Sequence, residues 1–301
     1  RESHWRFKLD LERINWKDGI LGDLSIDAAS VSDPVLIRGD GQFLYTLASV
    51  CDDVDFGITN VVRGSDHVTN TATQIQIIES LGGNVPDFSH HSLLTGSKGE
   101  PLSKRLGTLS LRDLRANGLE PMAILSYMSR LGSSEAIELF DNIDDLAENF
   151  DISNFGAQPT KFDLTDILPL SKKYISGLDV SEVYDNLKAS GVPSDIAPNF
   201  WLIVRENIST RAEIKHWWSI CSEGVTPVID KEDIKFIEIA KSLLPVGNFD
   251  ENTWKNWTSE IKAITGRKGK TLFMPLRKAL TGMEHGPDMS RLLPLLQKIN
   301  I

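Results

Sequence analysis

An α/β unit followed by an all-α one is the fold class this sequence predicts. Up to about residue 107, short β-rich runs alternate with helical spacing. From 108 onward the apolar residues recur at helical spacing alone. Of the 301 residues, 41% are hydrophobic and 25% charged, the balance of a soluble globular protein with room for two or three cores.

The elements follow in order. "RESHWRFKLDLERINW" alternates Trp5, Phe7 and Leu9 against Arg6, Lys8 and Asp10, and predicts a strand already inside a domain. "DPVLIRGDGQFLYTLASVCDD" supplies a β-rich run, a hairpin-type turn at Gly39-Asp40-Gly41 and an apolar segment over 43–50. "FGITNVVRGSDH" predicts a short buried strand over 58–62 that emerges at Arg63-Gly64. A helix follows, with Ile75, Ile78 and Leu81 at helical spacing, Thr69 or Thr71 to cap its first turn and Gly82 to stop it. Arg63, Asp66 and His67 therefore fall where a strand ends and a helix begins, the rim at which open α/β sheets bind ligands. "HSLLTG" is a second strand, leading straight into "GSKGEPLSKRLGTLS". After that loop the chain is expected to be helical to its end. "TLSLRDLRANG" and "EPMAILSYMSRLG" stop at Gly118 and Gly132, the second with Pro121 in its first turn. A stretch rich in Asp, Asn and Ser, 141–165, predicts the passage from one helical unit to the next.

Composition excludes several classes. No run of eighteen apolar residues occurs, so no membrane span is predicted. Cys51 and Cys221 stand far apart without a CxxC, which argues against a disulfide scaffold and a cysteine zinc site and fits a reducing cytosol. A net charge of -10 argues against bulk affinity for nucleic acid, yet a local basic face depends on where the cations sit. Over 255–301 nine Lys/Arg stand against Glu260, Glu284 and Asp288, a local +6.

Three blocks carry a family resemblance. "PVLIRGDGQFLYTLASVCDDVDFGITNVVRGSDHVTNTATQIQIIESLG" resembles the second half of the catalytic domain of bacterial glutamyl-tRNA synthetases. "EPLSKRLG" resembles their form of the class I KMSKS signature, and "GRKGKTLFMPLRKALTG" resembles the last part of their anticodon-binding domain. The blocks occur in the family's order and cover nearly the whole chain. The resemblance implies the second half of a Rossmann-type catalytic domain followed by helical stem-contact and anticodon-binding domains. It also implies ATP-dependent attachment of glutamate to tRNA, with Mg²⁺ arriving as part of the ATP complex.

Amino-acid activation is attack of a carboxylate on the α-phosphorus of ATP with loss of pyrophosphate. Charge builds on phosphate oxygens, so catalysis is positioning plus cationic stabilisation. The resemblance gives that role to Lys104, with Ser103 and Arg105 beside it in the loop. A preorganised donor of this kind is worth roughly 3 to 4 kcal/mol. The family's first motif lysine is replaced here by Pro101, while the second is retained as Lys104. By the same resemblance Tyr45, Ser49 and Arg63 line the glutamate pocket, with Arg63 pairing the substrate carboxylate in the two-pronged way guanidinium allows. Asp66, His67, Leu93 and Leu94 are expected near ATP. Lys268, Lys270, Arg277 and Lys278 are the expected tRNA-backbone cations.

Other features are assigned no chemistry. Asp52, Asp53 and Asp55 read as an acidic turn rather than a metal cluster, and His90-His91 has no partner at ligand spacing, so no metal site is expected. Trp217-Trp218 reads as helical core rather than a stacking platform for bases. The HIGH-type motif that class I synthetases pair with KMSKS does not occur in the sequence. The chain is accordingly expected to be a C-terminal portion, inactive alone. Its expected division is 1–40 (end of an inserted acceptor-binding domain), 41–107 (Rossmann half with the KMSKS-like loop), 108–180 (stem-contact domain) and 181–301 (anticodon-binding domain). The implied partners are tRNA(Glu), glutamate and ATP, for a cytoplasmic monomer. Two alternatives stand beside this one: a relaxed enzyme that also charges tRNA(Gln), and a noncatalytic tRNA-binding paralogue.

Overall fold

The computed structural model describes residues 3–96, 99–100 and 110–301. Ser103, Lys104 and Arg105 lie outside the described residues. The chain runs β1 (Trp5–Arg6), β2 (Arg13–Asp18), β3 (Gly22–Asp27), β4 (Val35–Ile37), α1 (Tyr45–Asp55), β5 (Asn60–Gly64), α2 (Val68–Ser80), β6 (Asp87–His91) and β7 (Leu94–Thr95). It continues through α3 (Leu111–Ala116), α4 (Pro121–Arg130), α5 (Ile143–Glu148), β8 (Thr160–Lys161), α6 (Leu164–Gly177), α7 (Val180–Ala189) and α8 (Ala197–Val204). The last helices are α9 (Glu213–Glu223), α10 (Ile234–Ser242), α11 (Thr253–Thr265), α12 (Lys270–Thr281) and α13 (Met289–Leu292). Two compact units result: Arg1–Gly107 with Ser126–Leu164, and Thr108–Leu125 with Thr165–Ile301.

The first unit is built on a four-stranded sheet in the order β3-β2-β6-β5. β2 and β3 form an antiparallel hairpin, while β6 runs parallel to both β2 and β5. A parallel pair needs a crossover, and α2 provides it, making β5-α2-β6 a βαβ unit. α1 packs on α2 through Val50, Ile77 and Ile78, all buried, with Phe7, Leu36 and Leu47 against them. Each such fully buried aliphatic side chain contributes about 1.5–3 kcal/mol of transfer free energy. The C-terminal end of β5 is tied to α2 by the Arg63 side chain, which donates to Thr71.

Several local expectations need correction. The first strand is confined to Trp5–Arg6; Trp5 is exposed and Leu9 is buried, because β1 pairs only with the short β4 and Leu9 turns into the interior. The turn at Gly39-Asp40-Gly41 closes as expected, with Ile37 bridging Phe43, Gly41 at φ +85° and the Gly41 N–H donating to Arg38 O at 2.9 Å. The buried strand expected over 58–62 lies two residues later and is only partly buried, with Val62 59% exposed. Neither Thr69 nor Thr71 caps α2; a 3-10 turn, Ser65–His67, leads into it, and Thr71 points at Arg63 and His90 instead. The chain is also not helical throughout beyond the loop. β8 pairs parallel with β7, Leu94↔Thr160 and Thr95↔Lys161, a pairing across 66 residues that local periodicity cannot report.

The second unit is helical. Ser110 and Asp113 form a capping box at the start of α3, and α3 gives way to Gly118 at φ +74°. Its core is aromatic: Phe200, Trp201, Trp217 and Trp257 are essentially fully buried. Buried indoles need acceptors, and two find them: Trp201 Nε1 donates to Leu178 O and Trp257 Nε1 to Ala240 O, each at 2.9 Å. Trp217 and Trp218 lie on α9 within this core, as the sequence predicts.

Candidate active site

The C-terminal end of β5 and the 3-10 turn after it bring most of the described candidate residues together. Gly64 closes the strand. A Cβ there would sit 2.5 Å from Asp66 Oδ1 and 3.2 Å from Leu93 Cδ2, so the absence of a side chain lets those two residues approach over the backbone. Asp66 Oδ2 lies 3.9 Å from His67 Nε2, and the His67 ring meets Tyr45 edge to face, with centroids 5.8 Å apart. Tyr45 opens α1 and is 54% exposed; Ser49, one turn later, accepts from Gln74 Nε2 at 3.1 Å. Tyr45, Asp66, His67 and Leu93 thus form one partly open ledge above the strand end.

Arg63 is held more firmly than a surface arginine. Its Nε donates to His90 Nε2 at 3.2 Å and its Nη2 to Thr71 Oγ1 at 2.6 Å, while the guanidinium carbon lies 5.3 Å from the centroid of the Phe88 ring. Thr71 Oγ1 and His90 Nε2 are themselves 2.9 Å apart. Behind His90 stands Asp18, both fully buried, with Nδ1 and Oδ2 2.5 Å apart. Asp18 Oδ1 accepts the backbone N–H groups of Ile20, Leu21 and His90, each at 3.0 Å. Burial alone would push this carboxyl up, but the His90 side chain and the three backbone donors outweigh it and hold it below the ordinary range. On α1, burial pushes the Asp53 carboxyl up in spite of the attraction of Arg63.

Leu93 and Leu94 part company. Leu93 is 45% exposed beside Gly64, whereas Leu94 lines an apolar cavity of about 240 Å³ with Val62, Met128, Leu131, Phe150 and Phe155. Asp18 and His90 are the functional candidates that sequence reasoning missed. They lie 72 residues apart, and the signal available was an Asp-Gly pair at a strand end.

The four cations of the second unit divide in two. Lys268 and Lys270 are exposed at the start of α12. Arg277 is half-buried, donates from Nη2 to Pro287 O at 2.8 Å and is pushed below the ordinary guanidinium range by that burial. Lys278 Nζ bonds Asp230 Oδ2 at 2.7 Å and lies 3.8 Å from Glu284 Oε1; the Asp230 hydrogen bond holds its ammonium above the ordinary range. Arg267 Nη1 likewise bonds Asp233 at 2.5 Å. Acids at 230 and 233 therefore offset part of the local +6. Among the described residues, no three His, Cys, Asp or Glu side chains gather to hold a metal ion, and no helix is long and apolar enough to cross a membrane.

Residues 1–169 match the family described as tRNA synthetases class I (E and Q), catalytic domain, and residues 202–301 match an anticodon binding domain. The glutamate--tRNA ligase 1 of Roseobacter denitrificans is 64% identical over 295 residues, covering 98% of this chain and 67% of the relative. The glutamate--tRNA ligase 2 of a Jannaschia species is 61% identical over 293 residues, covering 97% and 65%. The chain thus spans about two thirds of the length of the curated relatives it matches. The crystal structure of a glutamate-tRNA synthetase from Elizabethkingia anophelis superposes with a TM-score of 0.78 at 23% identity, over 97% of this chain and 65% of that one, a likeness of fold. With a class I catalytic domain, an anticodon-binding domain and relatives at this identity, the chain belongs to the glutamate--tRNA ligase family of class I aminoacyl-tRNA synthetases.

Proposed function

We propose that the protein of which this chain forms part attaches glutamate to tRNA(Glu) at the expense of ATP. The observation that carries the proposal is Arg63, fixed at the C-terminal end of a parallel strand beside the ledge of Tyr45 and His67, in a chain of the glutamate--tRNA ligase family. Its Nε edge is occupied by His90 and Thr71, leaving Nη1 and the second Nη2 hydrogen for the side-chain carboxylate of glutamate. The α-carboxylate oxygen then attacks the α-phosphorus of ATP; the new C–O–P bond forms as the bond to pyrophosphate breaks. Lys104 neutralises the charge developing on the phosphates, with Ser103 and Arg105 supporting the loop. In this reading Asp66, His67 and Leu93 serve the ATP side and Tyr45 and Ser49 the glutamate side, while Leu94 faces an apolar cavity instead. Mg²⁺ enters as the ATP complex. The tRNA terminal hydroxyl then attacks the adenylate carbonyl, and the ester forms as the bond to AMP breaks; the exposed Lys268 and Lys270 serve the tRNA backbone, with Arg277 and Lys278, already engaged by Pro287 and Asp230, behind them, in a cytoplasmic monomer. The 301-residue chain alone is expected to make no glutamyl-adenylate.

Pyrophosphate exchange by the full-length ligase tests the assignment. Arg63→Ala should raise the KM for glutamate far more than that for ATP, because only one substrate loses a carboxylate partner. Equal damage to both constants would reduce Arg63 to a support of the fold.

A further inference from the structure

The buried network behind Arg63 is a larger investment than a strand end needs. Asp18 and His90 are wholly removed from water, and a buried carboxylate is costly unless every lone pair is used. Here the carboxylate accepts one imidazole N–H and three backbone N–H groups. The geometry sets the tautomer of His90. Nδ1 faces a carboxylate that only accepts, so Nδ1 carries the proton. Nε2 faces Arg63 Nε–H, which only donates, so Nε2 is the acceptor. Thr71 accepts the neighbouring Nη2–H of the same guanidinium. Two acceptors on one edge fix the plane of Arg63 as well as its position, and Phe88 backs that plane.

We infer that Asp18 and His90 are positioning residues for glutamate selection: Asp18 locks the His90 tautomer, and His90 with Thr71 turns the free end of Arg63 toward the substrate carboxylate. This rests on the reading of Arg63 as the glutamate-binding arginine. The chain of contacts is Asp18 Oδ2 to His90 Nδ1, then His90 Nε2 to Arg63 Nε. An acceptor fixed at Nε2 matters for recognition, whereas a donor fixed at Nδ1 matters for burial of Asp18. The two demands can be separated by substitution.

Asparagine reproduces the donor near Nδ1 but not the acceptor at Nε2; glutamine reproduces the acceptor but leaves Asp18 short of a donor. In the full-length ligase, His90→Asn should raise the glutamate KM by about tenfold, less than the roughly 10²-fold that a 1 Å misplacement of a reacting group can cost, with the KM for ATP unchanged. His90→Gln should melt at a lower temperature than His90→Asn yet keep a glutamate KM close to that of the parent. A residue with a merely structural role would order both variants the same way, by stability. Equal glutamate KM values in parent and His90→Asn, beside a raised KM in Arg63→Ala, would overturn the inference while leaving the reading of Arg63 intact. An Arg63→Ala enzyme with an unaltered glutamate KM would overturn both. Nitrogen-15 spectra of histidine-labelled ligase provide a measurement that needs no variant: protonated Nδ1 and bare Nε2 are expected for His90, and a proton on Nε2 would overturn the inference.

Discussion

Glu120 and Arg211, 91 residues apart in the chain, are joined by two parallel hydrogen bonds, Nε to Oε1 at 2.7 Å and Nη2 to Oε2 at 2.9 Å. The Glu120 side chain is 6% exposed, and Arg211 also reaches the carbonyl of Glu182, so one guanidinium ties the start of α4 to α7 within the helical unit. Arg211→Ala would strand a buried carboxylate. The expected cost is about 3 kcal/mol, the lower end for a broken buried pair because Arg211 keeps some solvent exposure. Glu120→Gln should cost less, since it retains an acceptor. Urea unfolding read by tryptophan fluorescence checks this, because Trp201, Trp217, Trp218, Trp254 and Trp257 all belong to that unit.

Sequence reasoning succeeded where the cause is local. Gly118 and Gly132 stop their helices at positive φ, and the paired tryptophans of α9 are buried by the same periodicity that identified the helix. It placed Arg63, Asp66 and His67 at a strand-to-helix junction because apolar spacing changes there. It failed where partners are remote. Asp18 meets His90 only through the single parallel register point Asp18↔Phe88 between β2 and β6, and β8 exists only because β7 lies beside it. Nor could residue type reveal that Lys278 is already paired, since Asp230 approaches from 48 residues away.

Asp18 gives the first unit an acid-sensitive joint. Its carboxyl is held below the ordinary range in the folded state, so its contribution is complete above the unfolded value of about 3.9 and is lost as pH falls through the lower folded value. Protection of the Ile20, Leu21 and His90 amides against hydrogen exchange, taken relative to their intrinsic rates, should fall below about pH 4 in the parent. In Asp18→Asn the same amides should exchange faster at neutral pH, with a flatter acid limb. An acid limb unchanged by the substitution would mean that another group governs it.

The basic face of the helical unit should behave unevenly. Lys268 and Lys270 are exposed, so replacing each with Ala should lower the log-log slope of tRNA affinity against salt by about 0.7 to 0.9 for every phosphate lost. Lys278→Ala should change that slope less, because Asp230 already balances the ammonium. Arg277→Ala should show mainly as lost stability, given the Pro287 carbonyl it satisfies. Anisotropy titrations at several salt concentrations measure all four. Equal slopes for the parent and the Lys268→Ala, Lys270→Ala double variant would make this a solvated face.

Lys104 should be needed only while phosphate charge is developing. A group that acts in the transition state lowers the barrier without tightening the ground-state complex, so its loss appears in rate rather than affinity. Lys104→Ala in the full-length ligase should therefore cut pyrophosphate exchange by roughly 10²–10³-fold, the effect of removing one preorganised charge-stabilising donor. The glutamate KM should move little, in contrast to Arg63→Ala. Arg105→Ala should be milder, since the neighbouring Lys104 maintains much of the local field. Exchange assays on the 301-residue chain, the full-length ligase and its Lys104→Ala variant separate the contributions. Exchange by the chain alone would show that the residues within it suffice for activation, and an unimpaired Lys104→Ala enzyme would make "PLSKR" a basic surface turn with no part in the chemistry.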